Sequence, residues 1–187
     1  MGIRTGLFGF YAAKYSYADG TASYSGGGMF LDAVSFQDDI QKSDANLTVG
    51  TDGMSPDALK FLLGVPVIEK TVGGESVSLL AWGGELRAPD IGFGLIEVLE
   101  SDGHEVKYNP KIYVKTNFSP TGKTINTEGE SKEFQPESLS GAAVPSDERV
   151  VVDGEPYSPI WVEPEEYFST LSEADAFIRD YLNIAEG

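Results

Sequence analysis

Between Lys111 and Phe118 an apolar or β-branched residue, Ile112, Val114, Thr116 and Phe118, recurs at every second position, and a β-strand is the structure with that period. The pattern puts Ile112, Val114, Thr116 and Phe118 on a core face and Lys111, Tyr113, Lys115 and Asn117 on a wet face. Upstream, Asp102-Gly103 is a hairpin signal, because a type I′ turn needs φ > 0 at both central residues and Asp-Gly tolerates it. Downstream, Pro120-Thr121-Gly122 turns the chain into residues 124–135, polar and charged but β-prone at Thr124, Ile125, Thr127 and Phe134. The stretch from Ala88 to Gly141 therefore reads as the β-rich centre of the chain.

The flanks read as further short elements. Leu7–Tyr17 is an aromatic strand with Phe8, Phe10, Tyr11, Tyr15 and Tyr17, followed by a turn at Asp19-Gly20. Thr21–Tyr24 can extend, Gly26-Gly27-Gly28 is expected to break the chain, and Met29–Phe36 is a second apolar strand. Gln37–Ala45 carries Asp38, Asp39 and Asp44 with no core pattern, so an exposed loop is expected over 37–46, ordering only on assembly. Leu47–Thr51 is a short strand. Ser55-Pro56-Asp57 is a helix start, with Leu59, Leu62 and Leu63 on one face and Gly64 as its stop. Val65–Val72, Ser76–Trp82 and Leu86–Ala88 follow as strands divided by Gly73-Gly74 and Gly83-Gly84. Ala142–Glu148 is a loop, and a second hairpin is centred on Asp153-Gly154. Thr170 and Glu173 have capping-box spacing for a helix over 170–184. Its Ala174, Phe177, Ile178, Tyr181 and Leu182 form one apolar face, expected to cover the protein's own sheet.

About ten short strands with two helices predict a mainly β fold, a β-sandwich or barrel with flanking helices, in a single domain over 1–187. No apolar run approaches the ~18 residues of a membrane span. Met1–Phe10 holds one Arg and no long apolar stretch, so no signal peptide is expected. Cysteine is absent and His104 is the only histidine, which leaves no thiolate or multi-histidine metal site. His104 sits beside the turn and reads as a solvated residue. Glu128 with Glu130, and Glu165 with Glu166, could be paired as catalytic carboxylates but read as solvated positions. Gly92-Phe93-Gly94 lacks the third glycine of a nucleotide loop, and Asp38–Asp44 lacks EF-hand spacing. No enzyme activity and no cofactor are expected.

The net charge of −17 excludes a basic nucleic-acid footprint. It fits either solubility or a surface that repels a polyanion.

The order of several motifs resembles the major tail proteins of long-tailed, siphovirus-type bacteriophages, the tail-tube subunits. The motifs are Gly6-Leu7-Phe8-Gly9-Phe10-Tyr11-Ala12-Ala13-Lys14-Tyr15, the stretch Ser55-Pro56 to Gly64, Ala88-Pro89 and Gly92-Phe93-Gly94. The hairpin with its Tyr/Lys-rich strand, Pro120-Thr121-Gly122, Thr127-Glu128-Gly129-Glu130-Ser131 with Phe134, and the final helix complete it. The resemblance implies hexameric rings stacked into a virion tail tube around a channel for DNA, made in the host bacterial cytoplasm. It implies as partners a tape-measure protein and the tail initiator and terminator proteins, and no membrane. On that reading Glu128, Glu130 and Glu133, then Asp38 and Asp39, are the lumen-facing acids. The inter-ring contact then falls on Gln37, Asp38, Asp39, Ile40, Gln41, Lys42, Ser43 and Asp44. A surface or carbohydrate-binding β-sandwich is the alternative, with Tyr11, Tyr15, Tyr17, Tyr24 and Trp82 as a stacking platform.

Overall fold

The computed structural model describes residues 3–31, 33–51, 56–83, 86–101, 103–120 and 137–186. In chain order they form β1 (Ile3–Ala18), β2 (Thr21–Leu31), β3 (Ala33–Ile40), β4 (Ala45–Thr51) and α1 (Pro56–Leu63). Then come β5 (Val67–Val72), β6 (Glu75–Leu80), β7 (Ile91–Glu100), β8 (Val106–Pro120) and β9 (Glu137–Ala143). Last are β10 (Val150–Val152), β11 (Glu155–Tyr157), β12 (Trp161–Val162) and α2 (Leu171–Tyr181). The fold is mainly β, as the turn-rich sequence implied.

One antiparallel sheet dominates, in the order β2-β1-β7-β8-β9-β4-β3, with β12 added to the second edge of β8. The sheet curls. Phe36 of β3 lies 6.3 Å from Phe93 of β7 and 5.7 Å from Tyr113 of β8, ring centre to ring centre, although β3 and β7 are four places apart in the sheet. The concave side holds the larger core: Phe10, Ala45, Leu47, Val49, Phe93, Leu95, Tyr113, Phe118 and Leu139, with Leu62 and Leu63 of α1. The convex side of β1, β7 and β8 holds a second core with Tyr11, Ile96, Ile112 and, from α2 and its end, Ala174, Ile178 and Leu182. Helix α2 thus covers its own sheet, as its apolar stripe required.

Gly92-Phe93-Gly94 places these layers. Phe93 points into the concave core, 5.4 Å from Phe10 and 5.1 Å from Phe118. The two glycines face the other way, under α2. A Cβ on Gly92 would stand 2.5 Å from Leu182 Cδ2 and 2.5 Å from Tyr24 Cε1, and one on Gly94 2.9 Å from Ile178 Cγ2. The helix therefore rests on the backbone of β7. The capping box is formed: Glu173 N donates to Thr170 Oγ1 and Thr170 N donates to Glu173 Oε2. Tyr11 is wholly buried beneath α2, its hydroxyl donating to Asp175, and the Arg179 guanidinium lies 5.6 Å from the Tyr11 ring centre.

Several expectations fail for identifiable reasons. The clean alternation over 111–118 is interrupted. β8 advances from Tyr113 to Thr116 while β7 advances only from Phe93 to Ile91, so β8 carries one extra residue, a bulge. The faces exchange across it: Ile112 joins the convex core and Phe118 the concave one, and Tyr113, placed on the wet face, is buried. Residues 37–46 are not a loop. Gln37, Asp38, Asp39 and Ile40 belong to β3, only residues 41–44 connect it to β4, and Gln41 N donates to Asp44 O at 2.8 Å. The segment is thus held within one chain, because pairing with β4 satisfies the inward-pointing half of its backbone groups whatever its side chains. Gly26-Gly27-Gly28 does not break β2. Ala12 pairs with Gly28 and Lys14 with Ser25, a bulge with Gly26 at φ 64°. Leu86–Ala88 has no strand. In the β7–β8 connection His104, at φ 60°, is the left-handed residue and Gly103 is not, so the turn is not type I′. His104 N donates to Ser101 O and Ser101 N to Glu105 O, the pattern of a longer bulged hairpin loop.

Substituting Gly92→Ala should destabilise the protein by about 1–3 kcal/mol, the overpacking range, because Tyr24 is held by its hydroxyl on Val114 O and cannot move aside. Thermal melts should show a drop of about 2–4 °C per kcal/mol. Gly103→Ala, with nothing within 4 Å of the new Cβ, should leave the melt unchanged. Equal melts for both variants would remove the glycine contact from the account of the fold.

Candidate functional site

Among the described residues the curled sheet does not close, and an edge strand offers unpaired N–H and C=O groups. Here the outer edge of β2 is capped over its first half. Ala22 N donates to Glu148 Oε2 at 2.8 Å, and Asn183 Nδ2 donates to Tyr24 O at 3.2 Å. Past the bulge at Gly26, no described strand pairs with the outer edge of β2, nor with the second edge of β3.

Two hairpins stand outside the main sheet. In β5–β6 the left-handed Gly73-Gly74 turn sets Ile68, Val72 and Val77, all exposed, on one face beside Lys70 and Glu75, and Glu69 with Ser76 and Ser78 on the other. Both serine hydroxyls donate to Glu69. A two-stranded hairpin alone is marginal in water, and this one keeps three large apolar side chains exposed among the described residues. In β10–β11 the turn is Asp153-Gly154, and Val151 pairs with Pro156. After a two-residue turn the first pair exchanges hydrogen bonds and the second does not. The N–H and C=O of Val151 therefore point out of the hairpin, while Pro156 has no N–H to offer on its own edge. Val151 is also 75% exposed. The open side of this hairpin is thus β10, a run of three valines.

The segment that carries β10–β11 is strapped to the sheet by polar contacts. Lys115 Nζ donates to Asp147 Oδ2 at 2.8 Å, Tyr15 OH donates to the same oxygen at 3.0 Å, and Asp147 N donates to Tyr15 OH. The Lys115 and Tyr15 hydrogen bonds hold the Asp147 carboxyl below its ordinary value, and the Asp147 bond raises the Lys115 ammonium. At the end of the concave core lies a second polar group. Asn109 Nδ2 bridges Glu97 Oε2 and Glu163 Oε2, and Lys111 Nζ sits 3.7 Å from Asp38 and 3.9 Å from Glu97. Tyr113 OH donates to Asp38 Oδ2 at 2.7 Å.

Of the acids expected to face a channel, Asp38 is half-buried and engaged with Tyr113 and Lys111, and Asp39 is exposed on β3. Glu128, Glu130 and Glu133 lie outside the described residues. The inter-ring candidates Gln37–Asp44 form the end of β3 and its turn, with Ile40 exposed. Of the five aromatic residues read as a platform, Tyr15 and Tyr24 meet with ring centres 5.8 Å apart, Tyr11 is buried, and Tyr17 and Trp82 are exposed. Glu165 and Glu166 are exposed, as is His104, which contacts Glu100. Among the described residues no group of three or more His, Cys, Asp or Glu could hold a metal. No described helix is long and apolar enough to cross a membrane. Sequence reasoning missed the strap and the Glu97–Asn109–Glu163 group. The single signal was Glu97, an acid inside the apolar run of β7.

Comparison with protein-family models, with curated proteins and with solved structures gives no match.

The strap makes a pH prediction. A carboxyl held low contributes stability above its ordinary value, 3.8 for Asp147, and loses it as pH falls through its folded value. A raised ammonium contributes below its ordinary value, 10.5 for Lys115, and loses it as pH rises through its folded value. Below about pH 4 the amides of Ser146 and Asp147 should lose hydrogen-exchange protection, corrected for intrinsic rates, while β7 and β8 keep theirs. Asp147→Asn should show the same loss at neutral pH. Protection that is flat with pH would assign the strap to its backbone contacts alone.

Proposed function

We propose that this chain is a tail-tube subunit of the type found in long-tailed bacteriophages, a structural protein that polymerises as stacked, hexameric rings around an acidic channel for DNA. The observation that carries the reading is the unfinished surface. Among the described residues, one copy leaves unpaired edges on β2, β3 and β10, and holds Ile68, Val72 and Val77 of β5–β6 in water. Neighbouring copies that each cover such a surface remove that cost, and a heterologous contact repeated about an axis closes into a ring.

The net charge of −17 suits a wall along which a duplex must slide without sticking. DNA carries roughly one charge per 1.7 Å of axis, so a basic wall would hold it. Repulsion acts within a Debye length, ~8 Å at physiological salt. On this reading Glu128, Glu130 and Glu133, between β8 and β9 in the chain, are the candidates for that wall. Tape-measure, initiator and terminator proteins complete the assembly on this reading.

Purified protein, with and without a tail initiator complex, should form rings or tubes by negative-stain electron microscopy. The charged variants Val72→Lys and Val151→Lys, on hairpins outside both cores, should abolish assembly while keeping a melt within about 0.5 kcal/mol of the parent. A monomer across a wide range of concentration and salt, initiator present, would overturn the proposal.

A further inference from the structure

Beside the capped half of β2 lies a groove of about 450 Å³, closed by the strap on one side and the end of α2 on the other. Its lining includes Ser23, Tyr24, Ser146, Glu148, Tyr181 and Asn183. The volume falls in the range of small-molecule sites. The rings of Tyr24 and Tyr181 stand 5.9 Å apart at 41°, and Tyr181 is 40% exposed. Tyr24 is fixed by its hydroxyl on Val114 O, 2.7 Å away. Burial raises its hydroxyl far above the usual phenol range, so its ring stays neutral. Glu148 accepts the Ala22 amide with Oε2, which fixes the carboxylate at the groove without neutralising it. The groove lining holds one carboxylate and no lysine or arginine.

We propose that this groove binds a small organic cation, an alkylammonium or guanidinium group, between the Tyr24–Tyr181 pair and the Glu148 carboxylate. A cation gains from the negative ring faces and from a carboxylate already desolvated on one side. The protein's negative field draws it in. A neutral sugar would use the rings and hydroxyls but gain nothing from the charge. The same cationic group could arrive on a free polyamine or on a basic peptide side chain, and the two are separable by experiment.

The test is titration of isotope-labelled protein, read by amide shifts at Ser23, Tyr24, Ser146, Glu148 and Asn183. The probes are spermidine, N-acetyl-arginine amide and, as a neutral control, cellobiose. Saturating shifts are expected for a cationic probe in the roughly millimolar range, where one or two such contacts place an affinity. Spermidine binding alone would identify a polyamine site, and binding of the arginine amide alone a side-chain site. Glu148→Gln keeps the acceptor for Ala22 N and removes the charge, so it should weaken binding roughly tenfold with the amide map otherwise intact. Tyr181→Leu should weaken it similarly, and Asp180→Asn, outside the lining, should not. Absence of shifts with both cations, equal affinity in Glu148→Gln, or binding by cellobiose in their place would overturn the proposal.

Discussion

The contact of α2 with the bare backbone at Gly92 and Gly94 sets the arrangement of everything around it. A Cβ at either position would come within 3.0 Å of the Leu182, Tyr24 or Ile178 side chain and force it to shift. With glycine, Ile178 and Leu182 reach the backbone of β7, and Tyr11 can be buried under the helix with its hydroxyl satisfied by Asp175. The residue between the glycines does the opposite job. Phe93 fills the concave core and meets Phe10, Phe36 and Phe118. One three-residue motif therefore joins the two cores through the thickness of the sheet.

From that centre the sheet becomes steadily less covered. β1, β7 and β8 are packed on both faces, whereas β4 buries Ala45, Leu47 and Val49 and exposes Asn46 and Thr48. The second edge of β8 is used along its length, by β9, by Val144, by β12 and by Phe168 in turn. Among the described residues the outer strands receive no such treatment, apart from the side-chain caps Glu148 and Asn183 on β2. The strap that supplies Glu148 also carries β10–β11 and walls the groove beside Tyr24. Edge protection, the projecting hairpin and the groove thus depend on one segment, held by Asp147 to Lys115 and Tyr15.

Features settled by neighbours in sequence were legible. The turns at Asp19-Gly20, Gly73-Gly74 and Asp153-Gly154 all place both residues at positive φ. Pro56 begins α1, Gly64 ends it at φ 66°, and Thr170 with Glu173 caps α2. Each follows from a local backbone requirement that few residue types meet. The edge of β3 was illegible because Gln37 and Asp39 face water while Asp38 turns inward to Tyr113 and Lys111, partners 75 and 73 residues away in sequence. The candidate surface was half legible: both hairpins could be read from their turns, but not that they stand apart from the main sheet.

The residues by themselves determined that this chain is mainly β, where its tight turns fall, and which face of the last helix is apolar, because these depend on φ preference and on period along the chain. The tertiary structure decided which side of the sheet each residue serves. One extra residue in β8 shifts the pleat by one step and sends Ile112 and Phe118 to opposite cores, and the period along the chain carries no mark of it. It also decided which edges stay open, because pairing depends on strands far apart in sequence meeting side by side, and a strand's own residues do not record which neighbour it finds.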